Sequence, residues 1–225
     1  MSGNVFKDNN GNSITTRIKK ENVDVTIQYL ENLTGIENLH KNKLGSTGLY
    51  KTSGDIDLAV DHHIPKKLLY NLLCLLSNPN SVKISGINVH YLSHIINQEG
   101  EYVQVDFMFG EPNWLKFAYA GSPREGSLFK GRHRAILLAS IAKAKGMKWS
   151  PSNGLKDRKT DELLSDDPYT VAEMLFDDSI FPDQLLSVES INRIISPLKD
   201  YNELVSDAVD TFKSEGLILQ QERDD

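Results

Sequence analysis

Cysteine is almost missing from this chain: among 225 residues there is one, Cys74. That excludes an internal disulfide framework, and its place in the apolar run 68-LLYNLLCLL-76 predicts a buried thiol. Long apolar runs are missing too, none approaching the ~20 residues needed to cross a bilayer. The opening residues, MSGNVFKDNNGNS, are polar and hold no apolar signal core. A cytoplasmic protein with no membrane partner is the expectation, and at this length one substantial fold or two small lobes can bury a core.

Basic charge is scarce overall, with 25 Lys and Arg against 31 Asp and Glu for a net charge of −6. An evenly spread deficit would argue against a nucleic-acid partner, but the charge is segregated. Lys116 to Lys159 holds eleven Lys and Arg against Glu125 and Asp157, a local +9, whereas Thr160 to Asp225 holds four against seventeen acids, a local −13. Such a pattern fits a polyanion-facing surface beside a solvated acidic face. A helical lobe that is merely basic would read the same way.

Apolar spacing predicts a helix over 14–40, then a Gly, Ser, Thr and Lys-rich loop over 42–54. The alternation Asp55-Ile56-Asp57-Leu58-Ala59-Val60 predicts a strand. Helix 64–77, a hairpin of 82–84 and 87–92 around Ser85-Gly86, and a strand over 102–109 follow. Beyond these, helices are expected at 127–145, after a capping box at Thr170-Val171-Ala172-Glu173, and at 187–196 and 198–214, with Leu204, Ala208 and Phe212 in the core.

The chemistry concentrates in carboxylates. In a strand, Asp55 and Asp57 share one face while Ile56, Leu58 and Val60 share the other. Two carboxylates this close repel unless a cation or proton lies between them, and their hard oxygens suit Mg²⁺ or Mn²⁺. In 101-EYVQVDFMFG-110, Val103, Val105 and Phe107 take one face and leave Gln104 and Asp106 opposite, so a second carboxylate-bearing strand can lie beside the first. Upstream, Gly45-Ser46 can offer backbone N–H groups and a hydroxyl to a triphosphate, as a turn at a helix start does. His62 and His63 are adjacent, should point to different faces, and have no Cys or third His nearby, which disfavours zinc.

The string Gly45-Ser46 … Gly54-Asp55-Ile56-Asp57-Leu58 with Val105-Asp106-Phe107 resembles the hallmark of the polymerase β nucleotidyltransferase superfamily. The segment 117-FAYAGSPREGSLFKGRHRAILLASIAKAKGMKWSPSNGL-155 resembles the palm-to-thumb passage of family X DNA polymerases, ending in Lys145-Gly146-Met147-Lys148-Trp149 and a Gly154-Leu155 turn. The resemblance spans about residues 40–180. It implies an α+β fold: a nucleotidyltransferase palm with a mixed sheet and flanking helices (1–115), a small thumb-like α/β lobe (116–180) and a C-terminal helical extension (181–225).

By the same resemblance Asp55, Asp57 and Asp106 hold two Mg²⁺ or Mn²⁺ ions, and Asp106 helps activate a 3′ hydroxyl. Gly45, Ser46, Lys51, Tyr119, Gly121 and Ser122 face the nucleoside triphosphate, and Lys130, Arg132, Arg134 and Lys148 face nucleic acid, DNA first and RNA second. The chain departs from the family pattern at Thr47-Gly48-Leu49-Tyr50, where an Arg is usual, leaving Lys51 or Arg124 to neutralise the triphosphate. A further departure, Ala118-Tyr119 in place of an aromatic pair, leaves the sugar preference open. The N-terminal residues are too few for a helix-hairpin-helix lyase domain, so a minimal monomeric enzyme is expected. A nucleotidyltransferase acting on tRNA, protein or a small molecule is the alternative, and a non-catalytic binding module a third.

Overall fold

Alternate residues of strand β3 (Asp55–Asp61) split between two environments: Ile56 and Leu58 are fully buried, whereas Asp55 and Asp57 keep partial access to solvent. The computed structural model describes residues 4–123 and 126–219. The chain is α+β and divides into two units, Met1–Lys116 and Phe117–Asp225.

The first unit runs β1 (Ile18–Lys19), α1 (Lys20–Thr34), β2 (Thr52–Ser53), β3, α2 (Lys66–Leu76), β4 (Val82–Ser85), β5 (Asn88–His94), β6 (Tyr102–Gly110) and most of α3 (Pro112–Ala118). Its mixed sheet has the order β3-β6-β5-β4, with β3 and β6 parallel and the other pairs antiparallel. On one face, Ile56, Leu58, Val60, Val103, Val105, Phe107, Val89 and Tyr91 share a core with Val23, Ile27 and Leu30 of α1 and Leu69 and Leu73 of α2. Burying apolar side chains contributes ~25 cal/mol per Å², so this face stabilises the first unit. It leaves the opposite face free for polar residues.

The helix expected over 14–40 is shorter at both ends. Ile18 and Lys19 pair with Ser53 and Thr52, Thr16 N–H donates to Tyr102 O, and Gly35 ends the helix at φ 71°, a conformation glycine adopts without steric cost. Cys74 is half-buried rather than fully enclosed.

The second unit holds α4 (Gly131–Ala144), β7 (Met147–Ser150), β8 (Gly154–Asp157), β9 (Leu163–Ser165), α5 (Pro168–Leu175), α6 (Val188–Ile195), α7 (Tyr201–Leu204) and α8 (Ser206–Ser214). β7, β8 and β9 form an antiparallel sheet, so Gly154-Leu155 lies in a strand rather than a turn. The cap of α5 is Asp167, whose Oδ2 accepts from Thr170 N–H at 2.8 Å, because Pro168 takes the first helical position and places Thr170 inside the helix. Leu204, Ala208 and Phe212 are buried as their spacing predicts. Residues 181–219 belong to this unit: Ser140 Oγ donates to Leu204 O at 2.7 Å, and the Phe212 ring lies 5.5 Å from Phe129. Among the described residues no helix is long and apolar enough to cross a membrane.

Candidate active site

The polar face of the first unit's sheet is organised in rows. Register places Asp57 opposite Asp106, Asp106 opposite His90, and His90 opposite Lys83, so one row crosses all four strands. The neighbouring row places Asp55 opposite Gln104. The three aspartates therefore share a face because β3 and β6 run parallel and in register.

A chain segment beside β3 completes the arrangement. Leu44 N–H donates to Asp57 O and Ala59 N–H donates to Asn42 O, which lays 42–44 along the free edge of β3. Gly45 then turns at φ 59°, and a Cβ there would stand 3.0 Å from Asp57 Oδ2. Only glycine allows both the turn and the approach. Thr47, buried, accepts the Asp57 N–H at its Oγ1 (2.9 Å), and Ser53 Oγ accepts the Gly48 N–H at 3.0 Å. The segment after Gly45 is a series of turns and not the start of a helix, since its backbone is spent on these contacts. Ser46 and Lys51 are exposed, and neither side chain has a hydrogen bond or ion pair with the described residues.

Electrostatic strain is greatest at Asp57. Burial pushes its carboxyl well above the usual carboxylate range, and the charges of Asp55 and Asp106 add repulsion. Asp55 is raised by burial and by Asp106, with the Arg17 guanidinium pulling the other way. Arg17 is held by Thr52, through Nε to Oγ1 at 2.8 Å and Nη2 to the carbonyl at 3.0 Å. No Lys or Arg among the described residues forms an ion pair with Asp55 or Asp57. Partly enclosed carboxylates that repel one another and form no ion pair with a Lys or Arg among the described residues fit a hard divalent cation.

Asp106 is held differently. Its Oδ1 accepts from His90 Nδ1 at 2.7 Å and from Gln104 Nε2 at 2.9 Å, both on the side of the site away from β3 or along its own strand. The three aspartates share a face, but no set of one oxygen from each lies within 4.8 Å of one another. The described residues that do reach that mutual distance are Asp61, His62 and His63. The two histidines do not diverge as strand alternation would have them: they lie in the turn after β3, with ring centroids 4.2 Å apart and His63 Nδ1 2.6 Å from Asp61 Oδ1. All three residues are solvent-accessible and consecutive, and the Asp61 to His63 contact is a local turn.

Tyr119, Gly121 and Ser122 lie in the second unit, in the segment leading to α4, where Ala120 O approaches Gly131 so closely that a Cβ would meet it at 2.8 Å. Arg124 lies outside the described residues. Of the four residues expected on nucleic acid, Arg134 requires correction: it is 1% exposed, its guanidinium donates to the carbonyls of Leu185 and Phe117, and it sits 4.8 Å from the Phe117 ring. It ties α4 to Phe117 and Ala118 within the second unit, and burial lowers its pKa to about 9. Arg132 pairs with Glu215 and Lys148 with Asp161, while exposed Lys130 forms no ion pair among the described residues, although its charge also acts on Glu215. Much of the local positive charge is thus answered from within the unit. Trp149 is buried against Phe117, with ring centroids 5.8 Å apart.

No protein-family model and no curated protein matches this chain.

Sequence reasoning singled out the three aspartates, Gly45 and Ser46, but not Arg17, Thr47 or His90. The signal for Thr47 was its place two residues after Gly45. His90 could have been found from the alternation of β5, which puts it on the polar face with Asn88, opposite Val89 and Tyr91.

Proposed function

We propose that the chain is a metal-dependent nucleotidyltransferase of the polymerase β type, with the first unit as palm and the second as a thumb-like lobe with its helical extension. It transfers a nucleoside monophosphate from an NTP or dNTP to a 3′ hydroxyl of DNA and releases pyrophosphate. The observation that carries this reading is the register of Asp57 with Asp106, with Asp55 on the same face and Gly45 against the Asp57 carboxylate.

Asp55, Asp57 and Asp106 would hold two Mg²⁺ or Mn²⁺ ions, which when bound supply charge neutralisation and Lewis acidity at the α-phosphate. The chain's own contribution is position. Exposed Ser46 presents a hydroxyl to the β and γ phosphates, and Lys51 supplies a free positive charge. The attacking oxygen forms a bond to the α-phosphorus as the bond to the pyrophosphate oxygen breaks, and Asp106 draws the hydroxyl proton.

One observation favours a second acceptor. The pairing of Arg132, Lys148 and Lys143 with Glu215, Asp161 and Asp207, and the burial of Arg134, leave less free positive surface than the composition implies. The acceptor would then be tRNA, a protein hydroxyl or a small molecule.

The test is incubation with labelled dNTPs or rNTPs and Mg²⁺ or Mn²⁺ beside primed DNA, tRNA or the protein alone. A ladder on the primer selects the first reading, and label on tRNA or protein the second. No transfer to any acceptor, and no divalent-dependent triphosphate binding, would reject both.

A further inference from the structure

A hydrogen-bond chain that starts at exposed Ser85 and passes through buried His90 ends on buried Asp106. His90 is 1% exposed, and its two ring nitrogens are both engaged: Nδ1 lies 2.7 Å from Asp106 Oδ1 and Nε2 lies 2.7 Å from Ser85 Oγ. An ionised carboxylate only accepts, so Nδ1 carries the proton shared with Asp106, and the Ser85 hydroxyl is placed to donate to Nε2. Gln104 completes the set. Its Nε2 donates to the same Asp106 oxygen at 2.9 Å, while its Oε1 accepts from Val5 N–H at 2.8 Å, which fixes the direction of the amide. Among the described residues, no hydrogen bond reaches Asp106 Oδ2.

We propose that His90, oriented by Ser85, is a positioning residue for Asp106: it binds Oδ1 so that Oδ2 alone serves the reaction. This rests on the reading of Asp106 as a member of the nucleotidyltransferase site. A carboxylate turning about its last bond would sample orientations that cannot serve, and two donors on one oxygen remove that freedom before substrate arrives. Partners of this sort around ligating groups change affinity or rate by about 10- to 100-fold. Placement agrees with the role, since His90 stands opposite Asp106 on the side away from Asp57, where it can hold the carboxylate without occupying the space between the aspartates.

The wiring, Ser85 to His90 to Asp106, is also that of a nucleophilic serine. Asp106, however, stands in one row with Asp57 and carries a second donor from Gln104, so the chain is anchored at the carboxylate site and Ser85 is its outer end.

The test uses the full chain with His90→Ala, His90→Asn and Ser85→Ala. His90→Ala should lower kcat by about 10- to 100-fold with KM for the nucleotide changed little, and His90→Asn, which keeps an N–H donor near the place of Nδ1, should restore most of the loss. Ser85→Ala should cost only a few-fold, roughly, because one hydrogen bond of the pair remains. In wild type, NMR should show an exchange-protected imidazole Nδ1–H that moves upfield in Asp106→Asn, a readout that needs neither substrate nor turnover. Equal losses in His90→Ala and His90→Asn, unchanged kcat in His90→Ala, or absence of the protected proton would overturn the inference while leaving the proposed function standing, provided Asp57→Asn is inactive. Labelling of Ser85 by a fluorophosphonate would overturn it as well, by making Ser85 the reacting group. If wild type itself shows neither transfer nor Mn²⁺ uptake that Asp57→Asn abolishes, the proposed function fails and this inference with it.

Discussion

Asp57 and Asp106 stand directly opposite each other on the parallel strands β3 and β6, with Asp55 two residues before Asp57 on the same face. Holding three acids on one face costs stability, and a fold bears that cost where the charges are used. The first two predictions test this balance.

Asp57→Asn should abolish nucleotidyl transfer and at the same time raise thermal stability at neutral pH. The carboxyl titrates higher in the fold than in the unfolded chain, so the unfolded chain loses its proton first as pH rises. Stability therefore falls from about pH 4 upward through the raised value, and the full cost is present above it. The Asn variant escapes that cost. A gain of about 1 kcal/mol corresponds to ~2–4 °C in Tm for a chain of this size, and the difference should vanish below pH 4 in a calorimetric series.

Mg²⁺ or Mn²⁺ with a nonhydrolysable triphosphate should raise the Tm of wild type but not of Asp57→Asn. At a free ligand concentration about 100 times Kd the stabilisation approaches ~2.7 kcal/mol. Thermal shift with and without a chelator measures it, and equal shifts in the two proteins would remove Asp57 from the site.

Gly45→Ala should impair transfer by about 10-fold or more, because the added methyl meets Asp57 Oδ2 as well as an unfavourable φ. Gly100→Ala is the control: its φ of 74° carries the same backbone penalty, but nothing lies within 4 Å of the new Cβ. Both should lose about 1 kcal/mol in denaturant unfolding, and only Gly45→Ala should lose activity. Equal activities would show that the close approach does not matter to the reaction.

Glu215→Gln combined with Asp207→Asn should tighten DNA binding if the first reading of the acceptor holds. Arg132 and Lys143 would be released from their ion pairs, and each new phosphate contact adds about 0.9 to the salt slope. Fluorescence anisotropy across a salt series should show a steeper dependence by roughly 1–2. An unchanged slope would favour an acceptor other than DNA.

The site was legible where its geometry is local. Period-two alternation fixed which faces of β3 and β6 carry carboxylates, and a glycine beside a serine marked the loop that approaches them. Arg17 was not legible, because its relation to Asp55 runs through a strand pairing with Thr52 and Ser53, and the apolar spacing around it matched a helix. Nor was the His90 contact, which requires the antiparallel register of β5 with β6 as well as the face each residue takes. The internal pairing of the basic stretch was not legible for a related reason. Summed charge does not show that Arg134 is enclosed or that Glu215 and Asp207 come back to Arg132 and Lys143. The Thr170 cap shows the same limit on a small scale, since Pro168 shifts the start of the helix by a few residues.

The pairing of β3 with β6 also bears on the order of assembly. Because the two strands are neighbours in the sheet yet are separated in the chain by α2 and the β4–β5 hairpin, a growing polypeptide displays Asp55 and Asp57 long before Asp106 has been made. Joining them demands a long loop closure, a slow kind of folding step. A ribosome-bound fragment ending before Tyr102 would thus hold two of the acids and lack the strand that brings in the third.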